Sequence, residues 1–130
     1  MHWLFLDSSS RDLLRMAVLP ASGRIRAKTV HKQRVNVPST LAAFFDPEDL
    51  KNASGVCVVA GPGSFSAVRG GVLAGNLLAR FLNIPLTGVS VDESVDLPAL
   101  RHRLASGDVP AVSYVAPVYD AEPNITCPQP

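Results

Sequence analysis

The pattern of hydrophobic and polar positions predicts a buried strand, a glycine turn and a helix between residues 56 and 82. Residues 56–60 form an unbroken, β-favouring apolar run next to glycine, which is typical of a strand covered on both faces. Gly61, Pro62 and Gly63 then predict a turn, because proline fixes one φ and either glycine can adopt a positive φ. Ser64 is expected to cap the helix over residues 64–82.

This helix is apolar around most of its circumference. Its narrow polar sector contains Asn76, Arg69, Arg80 and Ser66. Gly70, Gly71 and Gly75 lie inside the helix, and each costs roughly 1 kcal/mol relative to alanine. A helix with these properties is expected to pack on its own sheet and also on a partner protein. The alternative is a βα unit that packs on its own sheet alone.

The first 35 residues predict three strands in an antiparallel meander, at residues 3–7, 13–19 and 24–35, with polar turns between them. The third strand alternates basic and less polar residues with a period of two. Its basic face contains five of the chain's 12 lysines and arginines, namely Arg24, Arg26, Lys28, Lys32 and Arg34. A charge-protected sheet edge explains this face best, and contact with a phosphate backbone is the alternative.

A helical connector follows the meander. Residues 38–45 predict a short helix, Asp46 and Pro47 start another, and Gly55 ends the connector. Residues 86–89 predict a strand parallel to residues 56–60, which completes a βαβ unit in an α/β fold. A further helix at residues 97–105 is expected between Asp96 and Gly107, and residues 111–119 are expected to be extended.

Composition and charge exclude several classes of protein. A chain of 130 residues with a net charge of +1 is expected to form one domain and is not a globally basic nucleic-acid binder. Cys57 lies in an apolar strand and Cys127 near the end of the sequence, so a reduced, cytoplasmic setting fits better than a disulfide framework or a zinc site. Asp7 interrupts the apolar start too early for a signal peptide or a membrane span, so we expect a soluble protein.

The glycine turn also has the form of a phosphate-binding loop, because it precedes a helix N-terminus. A small nucleotide-binding module that uses residues 61–66 is therefore the alternative function. Ser66 stands where a dinucleotide-binding turn has its third glycine, and no lysine is present at the position that a P-loop requires. Nucleotide binding is thus the less favoured interpretation.

No catalytic constellation, metal site or cofactor is predicted. His2, His31 and His102 are scattered without ligand spacing. Asp7 follows the first strand, a position that often holds ligands, although a turn cap over Ser9 and Ser10 explains it equally well.

Two motifs resemble the TsaB (YeaZ) family, the dimerisation subunit of the bacterial complex that makes threonylcarbamoyladenosine in tRNA. They are GPGSFSAVRGG at residues 61–71 and IPLTGVS at residues 84–90. Asp7-Ser8-Ser9 resembles the family's Asp-Thr-Ser, and Pro117-Val118-Tyr119 with Glu122-Pro123 resembles its C-terminal segment.

The resemblance implies an actin-like lobe of the ASKHA, ribonuclease H-like type, in which the meander and the βαβ unit share one mixed sheet. Residues 1–130 are expected to form a single TsaB-like domain. Within it, residues 1–90 form the lobe, 91–110 a short helical connector and 111–130 an extended C-terminal segment. The second lobe of longer family members is expected to be deleted.

The resemblance further implies a scaffold and not an enzyme. Family members bind the catalytic subunit TsaD through the helix that begins in the turn Gly61-Pro62-Gly63-Ser64. The predicted interface residues are Phe65, Val68, Gly71, Val72, Gly75 and Leu78. A TsaE-like ATPase is a further candidate partner, a homodimer is expected when the chain is alone, and any tRNA contact is at most indirect. A proteolytic role has no nucleophile–base pair to support it.

Overall fold

The computed structural model describes residues 2–119. Glu122, Pro123 and Cys127, on which some of the sequence interpretation relies, lie outside them. The described strands are β1 (His2–Asp7), β2 (Leu13–Pro20), β3 (Arg26–His31), β4 (Ala53–Gly61) and β5 (Leu86–Ser90).

These strands form one mixed sheet in the order β3-β2-β1-β4-β5. The first three pair antiparallel, and β4 lies parallel to both β1 and β5. The predicted meander and βαβ unit therefore share a single α/β sheet, as the sequence indicated.

Between residues 2 and 119, four α-helices connect or follow the strands. They are α1 (Val37–Phe44), α2 (Pro47–Lys51), α3 (Phe65–Leu82) and α4 (Leu97–Ser106). The predicted caps of the short helices are present: Asp46 forms a capping box on α2, Asp96 accepts from the Ala99 N–H, and Gly107 ends α4 with a positive φ. No helix among residues 2–119 is both long and apolar enough to cross a membrane.

Alternating strand residues build two cores, one on each face of the sheet. Leu4, Leu6 and Val58 pack with Val68 and Val72 of α3 in the first core. The second core lies under α4 and contains Phe5, Cys57, Val59, Leu100 and Leu104. Helix α4, which the sequence interpretation placed in a connector, thus covers the second face of the sheet.

The predicted basic face at residues 24–34 is wrong in its extent. Strand β3 spans only Arg26–His31, and Lys32–Arg34 form a 3-10 turn. The Lys32 ammonium points back into the molecule and donates to the carbonyls of Ser8 and Ser10, at 2.7 and 2.6 Å. Arg26 forms an ion pair with Asp49. Of the five basic residues, only Arg26 and Lys28 therefore lie on the strand.

The predicted end of the connector at Gly55 is also wrong, because β4 already begins at Ala53. Gly55 is buried inside the strand, where the Trp3 ring occupies the space of a side chain. A glycine inside a strand often marks such a close approach, so Gly55 does not indicate the boundary between the connector and the strand.

Candidate partner-binding face of helix α3

The turn before α3 uses its glycines for close approach. Gly61 has a φ of +124°, and a Cβ on it would overlap the Val118 carbonyl. A Cβ on Gly63 would lie 2.7 Å from the Ser9 carbonyl oxygen. Both glycines are therefore required by other parts of this chain, which pass directly over the turn.

The segment after α4 covers this turn. The Val118 N–H donates to the Ala60 carbonyl at 2.7 Å, and Tyr119 forms an isolated bridge with Gly63. The Tyr119 ring also packs on Phe65, with 4.9 Å between the centroids. A cavity of about 370 Å³ beside the turn has no charged residue in its lining. This arrangement does not resemble a phosphate-binding loop, which presents open amides and a cation.

Ser64 does not cap α3 as predicted. Its backbone has the extended conformation of an N-cap residue, yet its side chain makes no capping hydrogen bond. The hydroxyl is buried without a hydrogen-bond partner among the described residues. The helix instead begins with the Val68 N–H donating to the Ser64 carbonyl at 3.0 Å.

The Asp7 carboxylate stabilises the loop that follows β1. One carboxylate oxygen accepts from the Ser9 N–H and hydroxyl at 2.8 and 2.6 Å, and the other forms a 3.0 Å ion pair with Arg15. Arg15 also donates to the Ser94 carbonyl at 3.0 Å. The turn-cap interpretation is confirmed for Ser9, whereas the Ser10 hydroxyl accepts from other amides. Asp7 is thus engaged within the fold and buried.

Ser8 connects this loop to the middle of α3, which sequence reasoning did not foresee. Its hydroxyl donates to the Ala67 carbonyl at 2.8 Å and accepts from the Gly71 N–H at 2.9 Å. A Cβ on Gly71 would overlap the Ser8 side chain, and one on Gly75 would lie 3.0 Å from the Val58 Cβ. The two glycines therefore allow α3 to approach β4 and the Ser8 loop closely.

This geometry corrects the predicted interface. Val68, Gly71, Val72 and Gly75 are buried against the sheet, so they are unavailable to a partner while the lobe is folded. The sequence does not show which side of the helix is outermost, whereas the close packing at Gly71 and Gly75 places their side against the fold. Phe65 is 39% exposed and Leu78 is partly exposed, so these two remain at the surface.

The outer face of α3 is apolar instead. Leu73, Leu77 and Phe81 are 56%, 58% and 84% exposed and follow one another at a spacing of four residues, which places them in one row. We call these three residues the outer stripe. Gly70 lies on the same side of the helix, where a Cβ would meet no described residue within 4 Å. An exposed row of large apolar side chains on one helix is typical of an interaction surface.

A groove of about 410 Å³ lies beside the outer stripe. Leu41 and Phe45 line it from the α1–α2 region, and Ala74, Leu77 and Phe81 line it from α3. Because nearly all of its lining is apolar, the groove extends the outer stripe into a broader hydrophobic surface.

Asn76 fastens the C-terminal segment to the flank of α3. Its side-chain amide donates to the Val115 carbonyl at 3.0 Å and accepts from the Val115 N–H at 2.9 Å. The predicted polar sector of the helix thus binds another part of the chain. Within residues 2–119, no three His, Cys, Asp or Glu side chains are grouped to hold a metal ion.

Comparisons with known proteins agree with this fold. Residues 27–121 match the family model described as TsaD: tRNA N6-adenosine threonylcarbamoyltransferase. No curated protein matches the chain. A solved structure described as YeaZ from Pseudomonas aeruginosa is 24% identical, with a TM-score of 0.59. A second, described as an uncharacterized protein with similarity to peptidase YEAZ from Pseudomonas aeruginosa, is 27% identical, with a TM-score of 0.55.

Each structural match covers 68% of this chain but only 43% of the matched chain, so the chain spans less than half the length of these relatives. The predicted actin-like lobe and the predicted resemblance are both confirmed. Since the family model covers most of the sequence and the fold is that of YeaZ, the chain belongs to the TsaD family and is a TsaB-like member of it.

Proposed function

We propose that this chain is a non-catalytic scaffold subunit that supports threonylcarbamoyladenosine modification of tRNA by binding a TsaD-like catalytic subunit. The outer stripe on α3 carries the proposal, because three large apolar residues on one helix face lie uncovered within the described lobe. Burial of such residues is the main favourable contribution to most protein association. The groove beside α1 and α2 would receive side chains of the partner.

The polar groups near the turn support a structural role over a catalytic one. Asp7 is held by Arg15 and Ser9, and the Ser8 hydroxyl bonds to two backbone groups of α3. Val118 and Tyr119 cover the glycine turn. Asp7 and Ser8 therefore have partners within the fold, whereas the buried Ser64 hydroxyl has none among the described residues.

Association with a TsaD-like subunit from the same organism tests the proposal. Leu77→Lys would place a charge in the centre of the outer stripe, and the loss of about 1.5 to 3 kcal/mol of burial predicts a roughly 10- to 150-fold weaker complex by calorimetry. Val95→Lys is the matched control, since Val95 is 73% exposed but lies outside the stripe. If both variants bind as tightly as the unmodified chain, the outer stripe is not the interface.

The nucleotide-binding alternative makes the opposite prediction. We expect ATP and NAD to bind weakly or not at all in titration calorimetry, because the turn is covered by Val118 and its neighbouring cavity lacks charge. Low-micromolar binding of either nucleotide would favour the nucleotide-binding module over the scaffold.

A further inference from the structure

The two edges of the sheet differ in the part of the chain that is described. At the β5 edge, Val112 pairs with Leu86, and its N–H donates to the Leu86 carbonyl at 2.8 Å. Strand β3 forms the other edge, and each of its residues is exposed except the half-buried Val30. Among residues 2–119, no strand pairs with the outer side of β3. This edge is therefore open to another strand.

The ladder between β2 and β3 defines which backbone groups face outward. It continues beyond the strand to Lys32, whose N–H donates to the Asp12 carbonyl at 2.8 Å. Hydrogen-bonded and non-hydrogen-bonded pairs alternate along an antiparallel ladder, so the even-numbered residues of β3 bond to β2. The odd-numbered residues direct their N–H and C=O groups to the open edge, and these are Ala27, Thr29 and His31.

Helix α1 forms a wall beside this edge. The Arg26 guanidinium donates to the Phe44 carbonyl at 2.9 Å and lies 4.9 Å from the centroid of the Phe44 ring, which fixes the end of α1 next to the start of β3. A groove of about 840 Å³ lies between the two elements, with Lys28 on one side and Ser39 and Ala43 on the other. Proteins bind extended peptides by strand addition at an exposed sheet edge, and pockets beside the edge select the side chains.

Charge indicates what would occupy this groove. The charged residues that line the groove are Lys28, Asp46 and Arg26, and Arg26 is paired with Asp49. Arg24 and Arg34 lie outside the lining, before and after β3 in the chain, and with Lys28 they form no ion pair with any residue between 2 and 119. A second copy adding its own β3 would bring the same cations together, and like charges on adjacent strands are destabilising. An acidic strand would instead be attracted to them.

We propose that the β3 edge, together with α1, binds an extended acidic segment of another protein by strand addition. The surface uses none of the residues of the outer stripe, so the inference does not depend on the proposed function. A nucleic-acid backbone would also be attracted by the cations, but the outward carbonyls of β3 oppose a phosphate chain. A nucleic-acid base would also have no free ring to stack on, because Arg26 already lies over Phe44, the aromatic residue lining the groove. The row of alternating donors and acceptors matches a peptide backbone.

The experiment uses a fluorescent peptide of roughly eight residues that alternates glutamate and valine, long enough to span a strand of typical length. We expect saturable binding that protects the amides of Ala27, Thr29 and His31 from hydrogen exchange in NMR spectra. The same peptide with alternate N-methylated residues cannot complete the ladder and should bind at least roughly fivefold more weakly, since each backbone hydrogen bond contributes about 0.5 to 1.5 kcal/mol.

Variants of the chain provide a second test of strand addition. Thr29→Pro removes one outward N–H without removing a bond to β2 and should weaken binding, whereas Thr29→Ala retains the N–H and should not. Lys28→Glu should weaken binding of the acidic peptide more than Lys51→Glu, an exposed charge outside the groove.

The N-methylated peptide leaves the chain unchanged, so the test stays decisive even if Thr29→Pro fails to fold. Equal binding of the methylated and unmethylated peptides would overturn the proposal in favour of simple charge attraction. Displacement of the peptide by poly(U) without amide protection would assign the surface to nucleic acid. If the peptide does not bind at all, the proposal is also overturned. Lys28 is then explained as a charge that prevents edge-to-edge aggregation.

Discussion

The two faces of helix α3 are made of similar small and apolar residues, but their surroundings differ. On the inner face, a Cβ on Gly71 would overlap the Ser8 side chain, and one on Gly75 would lie 3.0 Å from the Val58 Cβ. On the outer face, a Cβ on Gly70 would meet no described residue within 4 Å, and Phe81 is 84% exposed. Hydrophobicity alone therefore does not distinguish the buried face from the exposed one. The difference lies in the Ser8 and Val58 side chains, which pack closely against the inner face only.

Among substitutions in α3, the largest effect is expected from Gly71→Leu. Gly71→Leu forces a side chain into Ser8 and removes the hydrogen bonds of the Ser8 hydroxyl, so we expect roughly 2 to 4 kcal/mol of destabilisation in thermal or urea melts. Gly70→Leu is the matched control and should stabilise the chain by up to about 1 kcal/mol, because a helix-interior glycine is replaced without a clash. Equal effects at both positions would contradict the assignment of inner and outer faces.

A smaller effect is expected on the flank of the helix, where Asn76 binds the C-terminal segment. Asn76→Ala removes two hydrogen bonds to the Val115 backbone, which predicts about 1 to 3 kcal/mol of destabilisation and faster hydrogen exchange at the Val115 amide. Ser66→Ala, at an exposed position on the same helix, should leave that amide unchanged. Unaltered exchange in Asn76→Ala would show that other contacts hold the segment in place.

The outer stripe should tolerate polar substitution in the isolated chain. Phe81→Ser is expected to change the free energy of unfolding by no more than about 0.5 kcal/mol, because most of this side chain is already in water. Phe45→Ser, at a buried phenylalanine that lines the same groove, should cost about 3 to 5 kcal/mol. A large loss of stability from Phe81→Ser would mean that the outer stripe is covered within the chain.

The sequence predicted the order of elements well because local signals specify it. Asp46, Asp96 and Gly107 marked helix ends, and the apolar runs marked β1, β4 and β5. The candidate site was predicted less well. A helical wheel shows that α3 is apolar on several sides, but it does not show which side packs against the sheet. The side that packs against the sheet is determined by Ser8, which lies more than 60 residues earlier in the chain and packs against Gly71.

The last prediction concerns Cys57, which lies beneath α4 and reports whether a substitution in α3 also destabilises the opposite face of the sheet. Burial raises the pKa of its thiol to about 12, above the ordinary value of 9.0, and Thr87 opposes this only in part. Because the folded-state pKa is the higher one, the contribution to stability is fully present below pH 9 and is lost as the pH rises from there through about 12. At neutral pH the folded protein should therefore react with a thiol reagent only through unfolding.

Labelling in a Cys127→Ser background measures this reactivity at Cys57 alone. Gly70→Leu and Phe81→Ser should leave the labelling rate at the unmodified value, since neither disturbs the inner face. Gly71→Leu should raise it exponentially with the lost free energy of unfolding, because β4 contributes residues to both cores and we expect it to open as one unit with α3. Fast labelling of the unmodified chain at pH 7 would contradict the burial of Cys57. Unchanged labelling in a destabilised Gly71→Leu variant would show instead that the two faces of the sheet open independently.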